Sequence, residues 1–181
     1  DNIVDLLDIK VEGSTLIVKY KEGKGMNISF GKNGRLKVLA TSPTIKTVTL
    51  DGSGDITLNN TIETDEMQIR LNGSGDIKVE SGVNSKGTLL AQLKGSGDIK
   101  LKGLVQATDS KFTLEGSGDI KCAHIIANSG EVFLKGSGDI DIDQCQSTQI
   151  AIGLNGSGDI KIKGIKSDKL NAGLSGSGDM N

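Results

Sequence analysis

Leu71-Asn72-Gly73-Ser74-Gly75-Asp76-Ile77-Lys78-Val79 is one of seven near-copies of a single phrase. Its centre, Gly-Ser-Gly-Asp, begins at Gly52, Gly73, Gly95, Gly116, Gly136, Gly156 and Gly176, at spacings of 21, 22, 21, 20, 20 and 20 residues. A fixed period of that length marks a stack of near-identical structural units. The architecture follows from this repetition, and function is left to the surface of the stack.

The residues around the tetrapeptide alternate. Two before the first glycine stands Leu50, Leu71, Leu93, Leu114, Leu134, Leu154 or Leu174, and two before that Val48, Ile69, Ala91, Phe112, Val132, Ile152 or Ala172. After the aspartate comes Ile56, Ile77, Ile99, Ile120, Ile140, Ile160 or Met180, and two further on Leu58, Val79, Leu101, Cys122, Ile142 or Ile162. Alternation on both sides of a glycine-rich break reads as two strands joined by a sharp turn. A third apolar position follows at Ile62, Val83, Leu104, Ile125, Cys145 and Ile165. Three inward stretches in about 20 residues describe a coil that closes on itself and rises by one strand spacing. The expected fold is all-β: a right-handed, three-sided parallel β-helix of about eight to nine coils, a rod on the order of 40 Å long.

The opening residues read as degenerate coils. Phe30-Gly31-Lys32-Asn33-Gly34-Arg35-Leu36-Lys37-Val38 aligns with the quoted phrase, and Asp8-Ile9-Lys10-Val11 echoes Asp76-Ile77-Lys78-Val79. Atypical terminal repeats suit a cap. Residues 1–181 therefore read as one β-helix domain, with 1–45 as degenerate coils and 46–181 as regular ones. The last coil stops at Asp179-Met180-Asn181, incomplete, and an open parallel edge invites end-to-end pairing of two copies.

Composition narrows the classes. The 26 glycines could suggest disorder, but regular Ile, Leu and Val between them argue for a packed core. A formal net charge of −2 with mixed signs gives neither a basic face for nucleic acid nor a polybasic membrane patch. No apolar run reaches the ~18 residues of a membrane span. A chain opening at Asp1 suits a mature form whose leader has been removed.

The Gly-Ser-Gly-Asp column has two readings. As turn chemistry, both glycines allow positive φ, while Ser and Asp cap the turn's own backbone donors. As a calcium ladder, the column would use Asp55, Asp76, Asp98, Asp119, Asp139, Asp159 and Asp179. Calcium wants 6–8 oxygens, and one carboxylate per coil is few. Lys78, Lys100, Lys121 and Lys161 stand two after their aspartates and supply the neutralising charge a metal would bring. The turn is the favoured reading, with no cofactor or metal required.

Other candidates are sparse. His124, the only histidine, falls in the turn five residues after Asp119 and reads as a surface residue without the two or three converging groups that catalysis or metal binding needs. Cys122 and Cys145 take core positions as small hydrophobes, with a disulfide as the alternative. Repeat length hardly varies, so no inserted loops build the water-excluding pocket that catalysis uses. A carbohydrate-binding face could use the aromatics Tyr20 and Phe133. Its polar column would be Asp51, Asn72, Lys94, Glu115, Lys135, Asn155 and Ser175, which also reads as an ordinary solvated face.

The seven Leu-x-Gly-Ser-Gly-Asp copies, six followed by Ile, resemble the bacterial family described as "putative auto-transporter adhesin, head GIN domain". Val11-Glu12-Gly13-Ser14-Thr15-Leu16-Ile17-Val18 is similar to that family's N-terminal part. The resemblance implies a right-handed parallel β-helix, secreted or envelope-associated, in Gram-negative bacteria, and brings no catalytic residues with it. The expected function is a non-enzymatic extracellular adhesion or display module, with a glycan or an extracellular protein as partner. A passive stalk or surface-layer component is the alternative, and a glycan-active enzyme a weaker one.

Overall fold

The computed structural model describes residues 7–21 and 37–181. The chain divides into two compact units, Asp1–Thr41 and Ser42–Asn181.

In the first unit, β1 (Leu7–Glu12) and β2 (Thr15–Tyr20) pair antiparallel, from Leu7 opposite Tyr20 to Glu12 opposite Thr15. Gly13 sits at φ +60° as the first of two turn residues, which a two-residue hairpin demands of a glycine. This corrects the expectation that Asp8-Ile9-Lys10-Val11 forms a degenerate coil: Gly13-Ser14 reverses the chain at once, so no circuit is made. The aligned stretch from Phe30 to Leu36 lies outside the described residues.

The second unit is the stack. Coil 1 comprises β3 (Thr47–Gly52), β4 (Asp55–Leu58) and β5 (Ile62–Thr64), one strand per side. Coil 2 repeats it as β6 (Met67–Gly73), β7 (Asp76–Val79) and β8 (Val83–Ser85). From β9 (Thr88–Gly95) the sides run together as β10 (Asp98–Gly116), β11 (Ile120–Gly136), β12 (Ile140–Gly156) and β13 (Ile160–Gly176). Each strand pairs in parallel with its counterpart one coil on, glycine above glycine and leucine above leucine. Among the described residues six complete coils and the first side of a seventh result, against the eight to nine expected, and the hairpin supplies none of them. Six spacings give roughly 29 Å.

Inward side chains fill the core in columns. Leu71, Leu93, Leu114 and Leu134 are fully buried, as are Ile77, Ile99, Ile120 and Ile140. Phe112 is the one buried aromatic among the described residues, and its neighbours compensate for its size. Ala91 stands one coil below it, and two residues earlier on the same side Ser110 lies level with Gly130.

One core assignment changes. Val105, wholly buried, pairs with Val83 and Ile125 on the third side, whereas Leu104 is 40% exposed. The register slips between Leu101 and Leu104, because the third coil takes one more residue to its third side than the fourth. Gly103 occupies the slip, where a Cβ would come within 0.9 Å of the Ser81 carbonyl oxygen.

At the far end Leu170 and Leu174 hold inward positions with only coil 6 beneath them, and both remain about half exposed.

Candidate functional site

Four of the five unvarying letters of Leu-x-Gly-Ser-Gly-Asp have a structural task. Leucine fills the core. The first glycine turns the corner at φ between +126° and +147° in all seven copies. The second glycine does not have positive φ, contrary to the expectation from sequence. It is required for space instead: a Cβ on Gly75, Gly97, Gly118, Gly158 or Gly178 would lie 1.8 Å from the carbonyl oxygen of the same glycine one coil below.

The aspartate braces the stack, and it caps the next coil where its own turn was the expected target. Asp76 N–H donates to Asp55 Oδ1 at 3.1 Å, Asp98 N–H to Asp76 at 3.2 Å and Asp119 N–H to Asp98 at 3.1 Å. The ladder continues from Asp139 to Asp119 at 3.2 Å, Asp159 to Asp139 at 2.9 Å and Asp179 to Asp159 at 3.0 Å. The second oxygen faces lysine: Lys78–Asp76 3.1 Å, Lys100–Asp98 2.7 Å, Lys121–Asp119 3.3 Å and Lys161–Asp159 3.0 Å. Burial works against the Asp98 carboxylate, but the Lys100 ammonium, the Asp119 N–H and the charges of Lys100 and Lys121 outweigh it and hold its pKa below the ordinary value. Asp159 is lowered by the Asp179 N–H first and Lys161 second. Lys100 and Lys161 are raised in turn by their hydrogen bonds to Asp98 and Asp159. Each interior carboxylate thus spends an oxygen on backbone, and four of the seven spend the other on lysine. Among the described residues no group of three or more His, Cys, Asp and Glu is placed to hold a metal ion.

The serine is the letter the fold leaves unused. Ser53, Ser74, Ser96, Ser117, Ser137, Ser157 and Ser177 are all exposed. Among the described residues none of their hydroxyls makes a hydrogen bond within the chain. They form a single file along one corner, one hydroxyl per strand spacing of roughly 4.7–4.9 Å. The neighbouring outward column, Asp51 to Ser175, varies at almost every step.

The other candidates are placed as follows. His124 lies in register with Leu104 and Gln144, and its carbonyl oxygen accepts the Cys122 S–H at 3.9 Å. Cys122 and Cys145 are both buried and free, and burial pushes the Cys122 thiol up to about 12. Tyr20 belongs to the hairpin. A shallow concavity of about 330 Å³ opens on the second side beside Ala123, among Lys100, Lys102, Lys121, Asp141, Asp143 and Lys163. Its charges are mutually satisfied: Lys163 bonds Asp143 at 2.6 Å, and Lys102 reaches Glu80 at 2.8 Å. Phe133 is 41% exposed on the first side, its ring lying against Gly153. Sequence alone named Phe133 but did not reveal that glycine pairing, which needs the coil register.

Comparison places this architecture among known proteins. A crystal structure described as a putative adhesin from Bacteroides fragilis superposes with a TM-score of 0.83 at 29% identity, covering 99% of this chain and 77% of that one. No curated protein sequence matches the chain. The family model "Putative auto-transporter adhesin, head GIN domain" matches residues 1–150, and the chain belongs to that family.

Proposed function

We propose that this protein is a non-enzymatic, extracellular adhesin-like module that binds its partner through the outer surface of the stack. The family and the adhesin-described neighbour support the coarse reading. The serine file carries the finer one. Seven identical side chains that neither fill the core, turn the corner nor cap a backbone group recur in every copy, while the adjoining outward column changes from copy to copy. A regular row of hydroxyls, each donor and acceptor, suits contact with an extended ligand. Catalysis is not favoured, since the acids of the concavity beside Ala123 face lysines instead of converging on each other.

The test is binding of the labelled chain to an array of glycans and extracellular-matrix proteins, first with calcium and then with EDTA. Selective binding that survives EDTA supports the reading and leaves the aspartates as braces. Binding lost in EDTA would return the aspartate column to metal-dependent adhesion. No binding in either buffer would favour a passive stalk.

A further inference from the structure

We infer that the first side of coils 5 to 7 forms a seat for a neutral oligosaccharide, with Phe133 as its stacking wall. This rests on the adhesin-like reading and gives it a ligand class and a place.

The outward column through Phe133 runs Thr113, Phe133, Gly153, Gly173 in register. Gly153 has no positive φ, so the backbone does not require glycine there. The ring does: a Cβ would come 2.8 Å from Phe133 Cδ2 and 3.3 Å from Cε2. The glycine lets the ring lie along the sheet, where a large part of it stays open to solvent. Beyond it Gly173 has open space above, with nothing within 4 Å of a Cβ. The result is an aromatic wall at the edge of a floor without side chains.

Charge is cleared from the floor beyond the ring, while Glu131 and Lys135 still flank Phe133 in coil 5. Earlier coils carry ion pairs in the flanking columns, Lys111 with Glu131 at 2.5 Å and Lys94 with Glu115 at 3.3 Å. In coils 6 and 7 those columns become Ala151 and Asn171 on one flank, Asn155 and Ser175 on the other, all exposed and neutral. A sugar presents an apolar C–H face to an aromatic ring and hydroxyls around its rim. Amides and hydroxyls can exchange water for those hydroxyls without desolvating a charge. An acidic glycan would find cations only at the rim, Lys135 beside Phe133 and Lys169 two residues before Asn171, and none on the Gly153–Gly173 floor. The strand spacing of roughly 4.7–4.9 Å is close to the length of one hexopyranose. Successive coils can therefore meet successive sugars.

The experiment is a titration of the ¹⁵N-labelled chain with cellotetraose, chitotetraose and mannotetraose, with tetragalacturonate as the anionic arm. At least one neutral tetrasaccharide should shift the amides of Phe133, Gly153, Asn155, Gly173 and Ser175. Phe133→Thr copies the residue already standing at Thr113, and Gly173→Lys puts a charge into open space. Each should weaken that binding at least tenfold while the spectrum stays dispersed. Shifts confined to other faces, a preference for tetragalacturonate, or no shift with any neutral sugar would overturn the inference. Array binding to a matrix protein with Phe133 and Gly153 undisturbed would overturn this seat and leave the adhesin-like reading standing. A blank array would remove both.

Discussion

Gly118→Ala should be far more damaging than its chemistry suggests. The backbone at Gly118 tolerates alanine, because its φ is not positive. The obstacle is the coil below, where the new Cβ would lie 1.8 Å from the Gly97 oxygen and 2.8 Å from the Ser96 carbonyl carbon. Ordinary C···O contacts sit near 3.3–3.6 Å, so the corner must open by roughly 1.5 Å. Three hydrogen bonds cross that corner: Ser117 N–H to Gly95 O at 2.9 Å, Gly118 N–H to the same oxygen at 3.2 Å, and Asp119 N–H to Asp98 Oδ1 at 3.1 Å. At about 0.5–1.5 kcal/mol each, their loss costs roughly 2–4 kcal/mol before any disturbance of Leu114 and Ile120. Gly173→Ala is the control, since its Cβ meets nothing within 4 Å. It should stay within about 0.5 kcal/mol of the parent. Urea unfolding followed by far-UV circular dichroism reads both. Amide exchange at Ser117 and Asp119 localises the damage, because a solenoid can open coil by coil. Equal midpoints for the two variants would refute the close-approach argument.

Further outcomes follow from the same geometry. Asp98→Ala removes the acceptor of the Asp119 N–H and should cost about 1–3 kcal/mol, while Asp98→Asn keeps an acceptor and should cost less. Asp98 and Asp159 have folded pKa values below 3.8, so their contribution is fully present above about pH 4 and disappears as pH falls through the folded values. Lys100, Lys161 and Lys163 are raised above 10.5, so theirs is present below that pH and lost as pH rises through the folded values. A thermal midpoint measured across pH should be flat between these limits and fall at both ends. Phe112→Ala should cost about 3–5 kcal/mol in urea, since no neighbour can refill the space of a wholly buried ring. Cys122 should resist a thiol reagent at pH 8 in the native chain and react once urea unfolds it, given burial and a pKa of about 12.

The repeat made the stack legible because each coil must reproduce the contacts of the one below. Leucine, isoleucine and glycine columns therefore recur in sequence as they do in space. Four things escaped. The hairpin at Gly13-Ser14 was masked by Asp8-Ile9-Lys10-Val11, whose pattern matches a strand in either architecture. Leu104 and Val105 are adjacent and both apolar, so only the register distinguishes the buried one. The second glycine's role is a contact between coils, invisible to local turn rules. The aspartate's partner is likewise 20 to 22 residues away, which composition could not indicate. The seat at Phe133 was half visible: the aromatic could be named, but its glycine partner emerges only when coils 5 and 6 are superposed.

The fold uses every unvarying letter of the phrase except serine. The most direct test changes Ser74, Ser96, Ser117, Ser137, Ser157 and Ser177 together to alanine, then reads thermal stability and array binding on the same preparation. The prediction is a thermal midpoint close to the parent's and selective binding weakened at least tenfold. A markedly lower midpoint would make serine one more structural letter, and unchanged binding would show that the ligand does not touch the corner.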